Sequence, residues 1–253
     1  MKSLKRNKVG LALGGGAVLG AAHIGVLRAL DEFDVQVSCV AGTSIGAFIA
    51  AFFGFGKSWQ EIQEIATDID WLDVSRISLS QFGLLSNKKL GELIVEHIGE
   101  KTFKESEIPI AMVATDITSG ERVVLDSGDV ATAVMASTCI PGIFNPIEIE
   151  NRLLVDGGIV ENVPVHPLRD MGADFSIGVA LNAIHSHKKP ENIIEVLLNS
   201  FDFTIRTATK LQTSDADILI NPDLSNFNMV DSDQAEALIN KGYDEAKEKL
   251  KAL

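Results

Sequence analysis

Three short stretches hold residue types that could do chemistry together: Gly14-Gly15-Gly16-Ala17, Gly42-Thr43-Ser44-Ile45-Gly46 and Asp156-Gly157-Gly158. A serine hydroxyl attacks an acyl carbon only when a base takes its proton and a set of donors receives the oxyanion of the tetrahedral intermediate. The G-T-S-I-G stretch supplies the nucleophile if it forms a sharp turn between a strand and a helix. Its flanks suit that geometry. Val37 to Ala41 is a short apolar run with β-branched residues, and Ile45 to Phe53 is small and apolar without a breaker. Glycines two before and two after the serine would let strand and helix approach closely, leaving Ser44 Oγ exposed at the helix start, where developing negative charge is favoured. The competing reading of these five residues is a Gly/Ser turn that merely caps a helix.

The other two stretches complete the set. Gly14 to Gly20 follows an apolar run and opens a helix, so its backbone amides can converge on an anionic oxygen. Asp156 follows Leu153 to Val155 and precedes two glycines that keep its approach open. An ordinary aspartate, with a pKa of about 3.9, is a poor base for a serine, so burial must raise its pKa or a direct hydrogen bond must align it. Without Ser44, an Asx-turn at a strand end would be the simpler account of Asp156. A histidine base is the rival: the chain order Ser, Asp, His is met by Ser44, Asp156 and His166 or His185. His23 reads as a packed helix residue, His97 as a surface one, and the 184–189 segment around His185 and His187 as a solvated loop. No acidic or sulfur ligand accompanies that His pair, so no metal site is expected.

The elements that must position these residues alternate. Apolar runs at Val9–Leu13, Val37–Ala41, Ile110–Thr115, Phe175–Leu181 and Ile218–Asn221 read as strands. Helical patterns run to about Leu30, over Ile45–Phe53, Trp59–Asp68, Asn87–Ile98, Asp129–Ser137, Pro164–Met171, Ile193–Leu211 and Gln234–Leu253. Two hairpins interrupt the alternation, one turning through 116–121 and one, Ile147–Glu150 with Leu153–Val155, turning at Asn151-Arg152. The expected fold is α/β: three-layer α/β/α with a mostly parallel central sheet, antiparallel strands at one side, and chemistry at the carboxyl ends of the strands. One domain over residues 1–253 is expected. The apolar Trp71–Ser86 stretch, with Phe82-Gly83-Leu84-Leu85, suits a cap over a site or an ordinary packed connection.

A net charge of −13 argues against a nucleic-acid partner and against simple electrostatic attachment to an anionic membrane. Cys39 and Cys139 lie among apolar or small residues without ligand spacing and read as buried thiols in a reducing compartment. Lys2, Lys5, Arg6 and Lys8 ahead of an uncharged stretch imitate a signal peptide, but the glycines within it suit a strand and loop better. A soluble, cytoplasmic protein is therefore expected.

With its motifs in this order, the whole chain resembles the patatin-like phospholipase family in a compact bacterial form. The matching residues are the glycine loop continuing into Ala22-His23-Ile24-Gly25-Val26-Leu27, the Gly42–Gly46 elbow, Ser137-Thr138-Cys139-Ile140-Pro141-Gly142, and Val155-Asp156-Gly157-Gly158 before Asn162-Val163-Pro164. The resemblance implies a Ser44–Asp156 dyad and an oxyanion hole from Gly14, Gly15, Gly16 and Ala17. Gly42, Thr43, Ile45 and Gly46 would shape the elbow, and Gly157 and Gly158 would support the base. It implies hydrolysis of lipid or lysophospholipid acyl esters without a metal or organic cofactor, and leaves room for transient membrane contact. The chain departs from the family at the loop, where Ala17 and Leu19 stand in place of a common glycine and a common basic residue. An arginine restored at Leu19 is expected, where the site accommodates it, to favour phosphate-bearing substrates over neutral esters.

Two readings from other classes compete. Gly14-x-Gly16-x-x-x-Gly20 also fits a pyrophosphate-binding loop, but the next strand ends in Ala41-Gly42-Thr43-Ser44 without the charged residue that would hold a ribose. A lipid-binding or regulatory member with little turnover is the other, and retention of both Ser44 and Asp156 favours catalysis over it.

Overall fold

The structure, a computed structural model, describes residues 7–68, 76–77, 85–181, 190, 193–228 and 231–252. In chain order the strands are β1 Val9–Leu13, β2 Val37–Thr43, β3 Arg76–Ile77, β4 Leu85–Ser86, β5 Ile110–Asp116, β6 Arg122–Leu125, β7 Ile147–Ile149, β8 Arg152–Asp156, β9 Phe175–Val179 and β10 Ile218–Ile220. The helices are α1 Ala21–Glu32, α2 Ile45–Gly54, α3 Trp59–Asp68, α4 Lys88–Ile98, α5 Val130–Ser137, α6 His166–Asp170, α7 Ile193–Gln212 and α8 Ala235–Lys251. The remainder of the expected cap over Trp71–Ser86, and the loop holding His185 and His187, lie outside the described residues. Among the described residues, no helix is long and apolar enough to cross a membrane.

Strands β10, β9, β1, β2 and β5 lie side by side in parallel, and β8 and β7 continue the sheet antiparallel. The strand period of two sorts their side chains cleanly. Val9, Leu11, Leu13, Val40, Ile110 and Met112 face a large core beneath α1, α2, α4, α5 and α8, while Ala12, Cys39, Ala41 and Ala111 face a smaller one under Val163, Val165 and Leu168. This is the expected three-layer arrangement. Small residues dominate the second face because the 163–168 segment lies directly on it.

One feature of the register positions the site. On β5, Ile110–Val113 pair with β2 and Ala114–Asp116 pair with β8, while β6 pairs with Met112–Thr115. A strand has two edges, so β6 takes one and β2 and β8 share the other end to end. β2 is parallel to β5 and β8 antiparallel, so their carboxyl ends meet: Thr43 is opposite Val113, and Asp156 is opposite the next residue, Ala114. The residue after Thr43 is Ser44.

The second hairpin turns one residue earlier than its sequence suggests. Glu150 and Asn151 form the turn, with φ of 51° and 62°, and Arg152 already belongs to β8. A two-residue turn with both central residues in the left-handed region matches the twist of the strands it joins, and that geometry prevailed over the poor preference of glutamate for positive φ.

Candidate active site

Ser44 stands between β2 and α2 with φ 56° and ψ −127°, a conformation in which few L-residues rest. Close packing imposes it. A Cβ on Gly46 would lie 2.0 Å from Leu13 O, and one on Gly42 would lie 2.4 Å from Gly46 O, so the helix returns over the sheet at a distance only glycine permits. Ser44 occupies the N-cap position of α2, yet its hydroxyl makes no capping hydrogen bond. The simple cap reading is thereby removed. The backbone N–H of Ser44 donates to Ser137 Oγ at 2.9 Å.

Asp156 is fully buried at the end of β8. Its backbone is fixed from both sides: its N–H donates to Cys139 O at 2.8 Å, and its carbonyl accepts from Thr115 Oγ1 at 2.9 Å. Oδ1 accepts from Gly158 N–H at 2.8 Å, which is the Asx-type contact expected of a lone strand-end aspartate. Oδ2 completes no such bond. Burial pushes the carboxyl up to about 7, against weaker opposing pulls from the Ser44 hydroxyl beside it and from the Gly158 amide. A carboxylate that was to accept a serine proton would need such a raised value, and the buried end of β8 provides it.

The glycine loop divides into two halves. Gly14 N–H donates to Val179 O at 3.0 Å, and Gly15 N–H faces Asn162 O and Oδ1 at 3.3 and 3.1 Å. Those two amides are occupied within the fold, so the expectation of four oxyanion donors contracts to Gly16 and Ala17, which are partly exposed. Ala17 has φ 50° and starts a short 3-10 helix, Ala17–Gly20, where amides lack helical partners. The loop abuts the elbow: a Cβ on Gly15 would sit 3.1 Å from Ser44 Cβ. Asn162 also donates from Nδ2 to Thr209 Oγ1 on α7, tying loop, base strand and helix together.

Leu19 is 1% exposed and belongs to the main core. The 3-10 turn swings it inward, where an irregular loop would have left it open, so the expectation of a phosphate preference on substitution is withdrawn. Leu19→Arg should instead destabilise the fold by roughly 3 kcal/mol or more through an unpaired buried charge, visible as a lower thermal midpoint.

The histidines of the described residues are otherwise engaged. His23 is fully buried, donates from Nε2 to Gly14 O at 2.7 Å, and is held neutral with its pKa lowered by burial to about 4. His166 Nδ1 lies 2.7 Å from the buried Glu161 carboxylate, which also takes Arg122 at 2.5 Å, and His166 Nε2 faces Asp215. His97 stacks edge-on against Phe52. Neither Ser137 nor Asn162 is marked as a site residue by its neighbours in the sequence. The one sign of them is that each falls within a motif of the resemblance. Among the described residues no cluster of His, Cys, Asp and Glu could hold a metal. Burial raises both thiols, Cys39 to about 11 and Cys139 to about 12.

A family model described as "Patatin-like phospholipase" matches residues 11–169, a span that contains all of the residues above except the α7, Val179 and Asp215 contacts. An uncharacterised NTE family protein of Mycobacterium tuberculosis is 35% identical over 178 residues, covering 69% of this chain and 49% of that one. Human patatin-like phospholipase domain-containing protein 6 is 32% identical over 192 residues, covering 70% of this chain and 13% of that one. The chain thus spans at most about half the length of these curated relatives. Among solved structures, VipD from Legionella pneumophila shares the fold with a TM-score of 0.66 at 15% identity, covering 97% of this chain and 67% of that one. ExoU, in its complex with SpcU from the type III secretion system of Pseudomonas aeruginosa, gives 0.53 at 16% identity over 96% of this chain and 51% of that one.

Proposed function

Because the chain belongs to the patatin-like phospholipase family, we propose that it is a lipid acyl hydrolase working through Ser44 and Asp156, with lysophospholipid as the favoured substrate class. One observation carries this reading: a buried carboxylate oxygen, Asp156 Oδ2, that no other group among the described residues satisfies faces a strained serine whose hydroxyl caps nothing and is its one neighbouring donor. Asp156 takes the Ser44 proton as Oγ bonds to the ester carbon. The carbonyl π electrons move onto oxygen, and the amides of Gly16 and Ala17, aided by the amino end of α2, hold that charge. The intermediate collapses with loss of the alkoxide, which takes the proton from Asp156. Water then repeats the sequence on the acyl-enzyme: Asp156 accepts its proton, the fatty acid leaves, and Ser44 recovers its hydrogen.

The proposal is tested by fatty-acid release from lysophosphatidylcholine and from a neutral medium-chain ester. The wild-type chain should cleave both and Ser44→Ala neither. Release by Ser44→Ala, or by no form of the protein, would refute it.

The protonation state sets the pH dependence. Below pH 7 Asp156 retains its proton and cannot accept another, so kcat/KM should climb through an apparent pKa of about 7 and level off above it. A limb near pH 4 would mean that the base is solvated and different.

The loop makes a separate prediction. Ala17 holds its left-handed conformation at a cost of roughly 1 kcal/mol, so Ala17→Gly should keep or modestly raise activity. Ala17→Val should displace the amide and lower kcat about 10²- to 10³-fold with little change in KM. Full kcat in Ala17→Val would remove the loop from the oxyanion hole.

A further inference from the structure

The Ser137-to-Gly142 segment has so far no chemical role, although its first residue touches the nucleophile. Val40 N–H donates to Pro109 O at 3.0 Å, and the parallel register of β2 on β5 advances such bonds two residues at a time. Gly42 to Ala111 and Ser44 to Val113 are the next positions in line. The last of these is filled by a side chain. Ser44 N–H donates to Ser137 Oγ at 2.9 Å, and Ser137 Oγ donates to Val113 O at 2.7 Å.

We propose that Ser137 is a positioning residue whose hydroxyl, inserted into the β2–β5 ladder, bridges the Ser44 amide to Val113 and holds the nucleophile in its left-handed conformation. The hydroxyl is suited to this because it both accepts and donates well at one small atom. It parts the two strands by one oxygen at the point where β2 must turn out of the sheet. Ser137 is 0% exposed and ends α5, so its position is set by the core. The same Val113 carbonyl supports the base: a Cβ on Gly157 would lie 2.2 Å from it, placing the turn after Asp156 directly on that carbonyl. Nucleophile and base are thus gauged from one backbone atom. The bridge also turns the Ser44 amide away from the substrate side, which is why the oxyanion falls to Gly16 and Ala17.

This rests on Ser44 being the nucleophile, and the test separates the two claims. Wild type, Ser137→Ala, Ser137→Cys and Ser137→Thr are compared for thermal midpoint, kcat and KM, and rate of Ser44 labelling by a fluorophosphonate. Without the bridge, Ser137→Ala should lose about 10²-fold in kcat and in labelling rate per folded molecule, at unchanged KM. Its acid limb should move to higher pH, because a displaced Ser44 hydroxyl no longer favours the ionised Asp156. Ser137→Cys, which keeps the volume with a poor hydrogen-bonding atom, should behave likewise and serves if the alanine variant does not fold. Ser137→Thr, which keeps the hydroxyl, should stay within about ten-fold of wild type. Wild-type labelling rates and an unmoved acid limb in the alanine or cysteine variant would overturn the role of Ser137, even if stability fell. Failure of wild type to label at Ser44 would instead overturn the nucleophile assignment beneath it.

Discussion

Asp156→Asn is expected to abolish hydrolysis and to make the fold more stable at and above pH 7. The unfolded chain releases the Asp156 proton near pH 3.8, whereas the buried native group holds it to about 7. Between those values the native state binds a proton that the unfolded state has lost, so stability falls as pH rises and the full loss is reached above pH 7. Over about three pKa units this comes to roughly 4 kcal/mol. Asparagine is nearly isosteric, can still accept from Gly158 N–H, and carries no charge to desolvate. Its thermal midpoint should exceed wild type by the order of 10 °C at pH 8 and by little at pH 4. Melting curves at the two pH values check this. Equal midpoints at pH 8 would show that Asp156 is comfortably solvated or paired, and it would then lack the property that the proposed base requires.

The second large effect is on turnover. Ser44→Ala should lower kcat by at least about 10⁴-fold, Asp156→Asn by a comparable factor, and the double variant by little more than either alone. The reason is mechanistic. In the proposed dyad Asp156 acts only on a proton carried by Ser44 Oγ or by the water that replaces it, so once either group is gone the other has nothing to do. Residual rates measured with a neutral ester, after subtraction of the spontaneous reaction, decide the matter. Multiplicative losses would mean two independent contributions and no dyad.

The local devices were readable in the sequence because each is made of adjacent residues. Glycine spacing around Ser44 announces a turn between strand and helix, and the structure places it there, with Gly42 and Gly46 at the close approaches their lack of a side chain allows. The alternation of apolar runs with helical patterns likewise gives the three layers. What adjacent residues do not encode is register. Nothing local says that β2 and β8 share one edge of β5, and that sharing brings Ser44 to Asp156. The same holds for hydrogen-bond partners from distant strands. Val179 and Asn162 occupy the first two amides of the glycine loop, and Ser137 enters a ladder formed by two other elements. The burial of Leu19 is illegible for a different reason: a single 3-10 turn has too few residues to show a period, so a core side chain looks like part of an open loop.

The most direct test of the account is the pH dependence of covalent labelling. A fluorophosphonate reacts with an activated serine and needs no knowledge of head group or acyl chain. Peptide mapping should place the adduct on Ser44, the labelling rate should rise through an apparent pKa of about 7, and Asp156→Asn should label negligibly at every pH. An adduct on another residue, no adduct in the folded wild-type chain, or equal labelling of Asp156→Asn would contradict the proposed dyad.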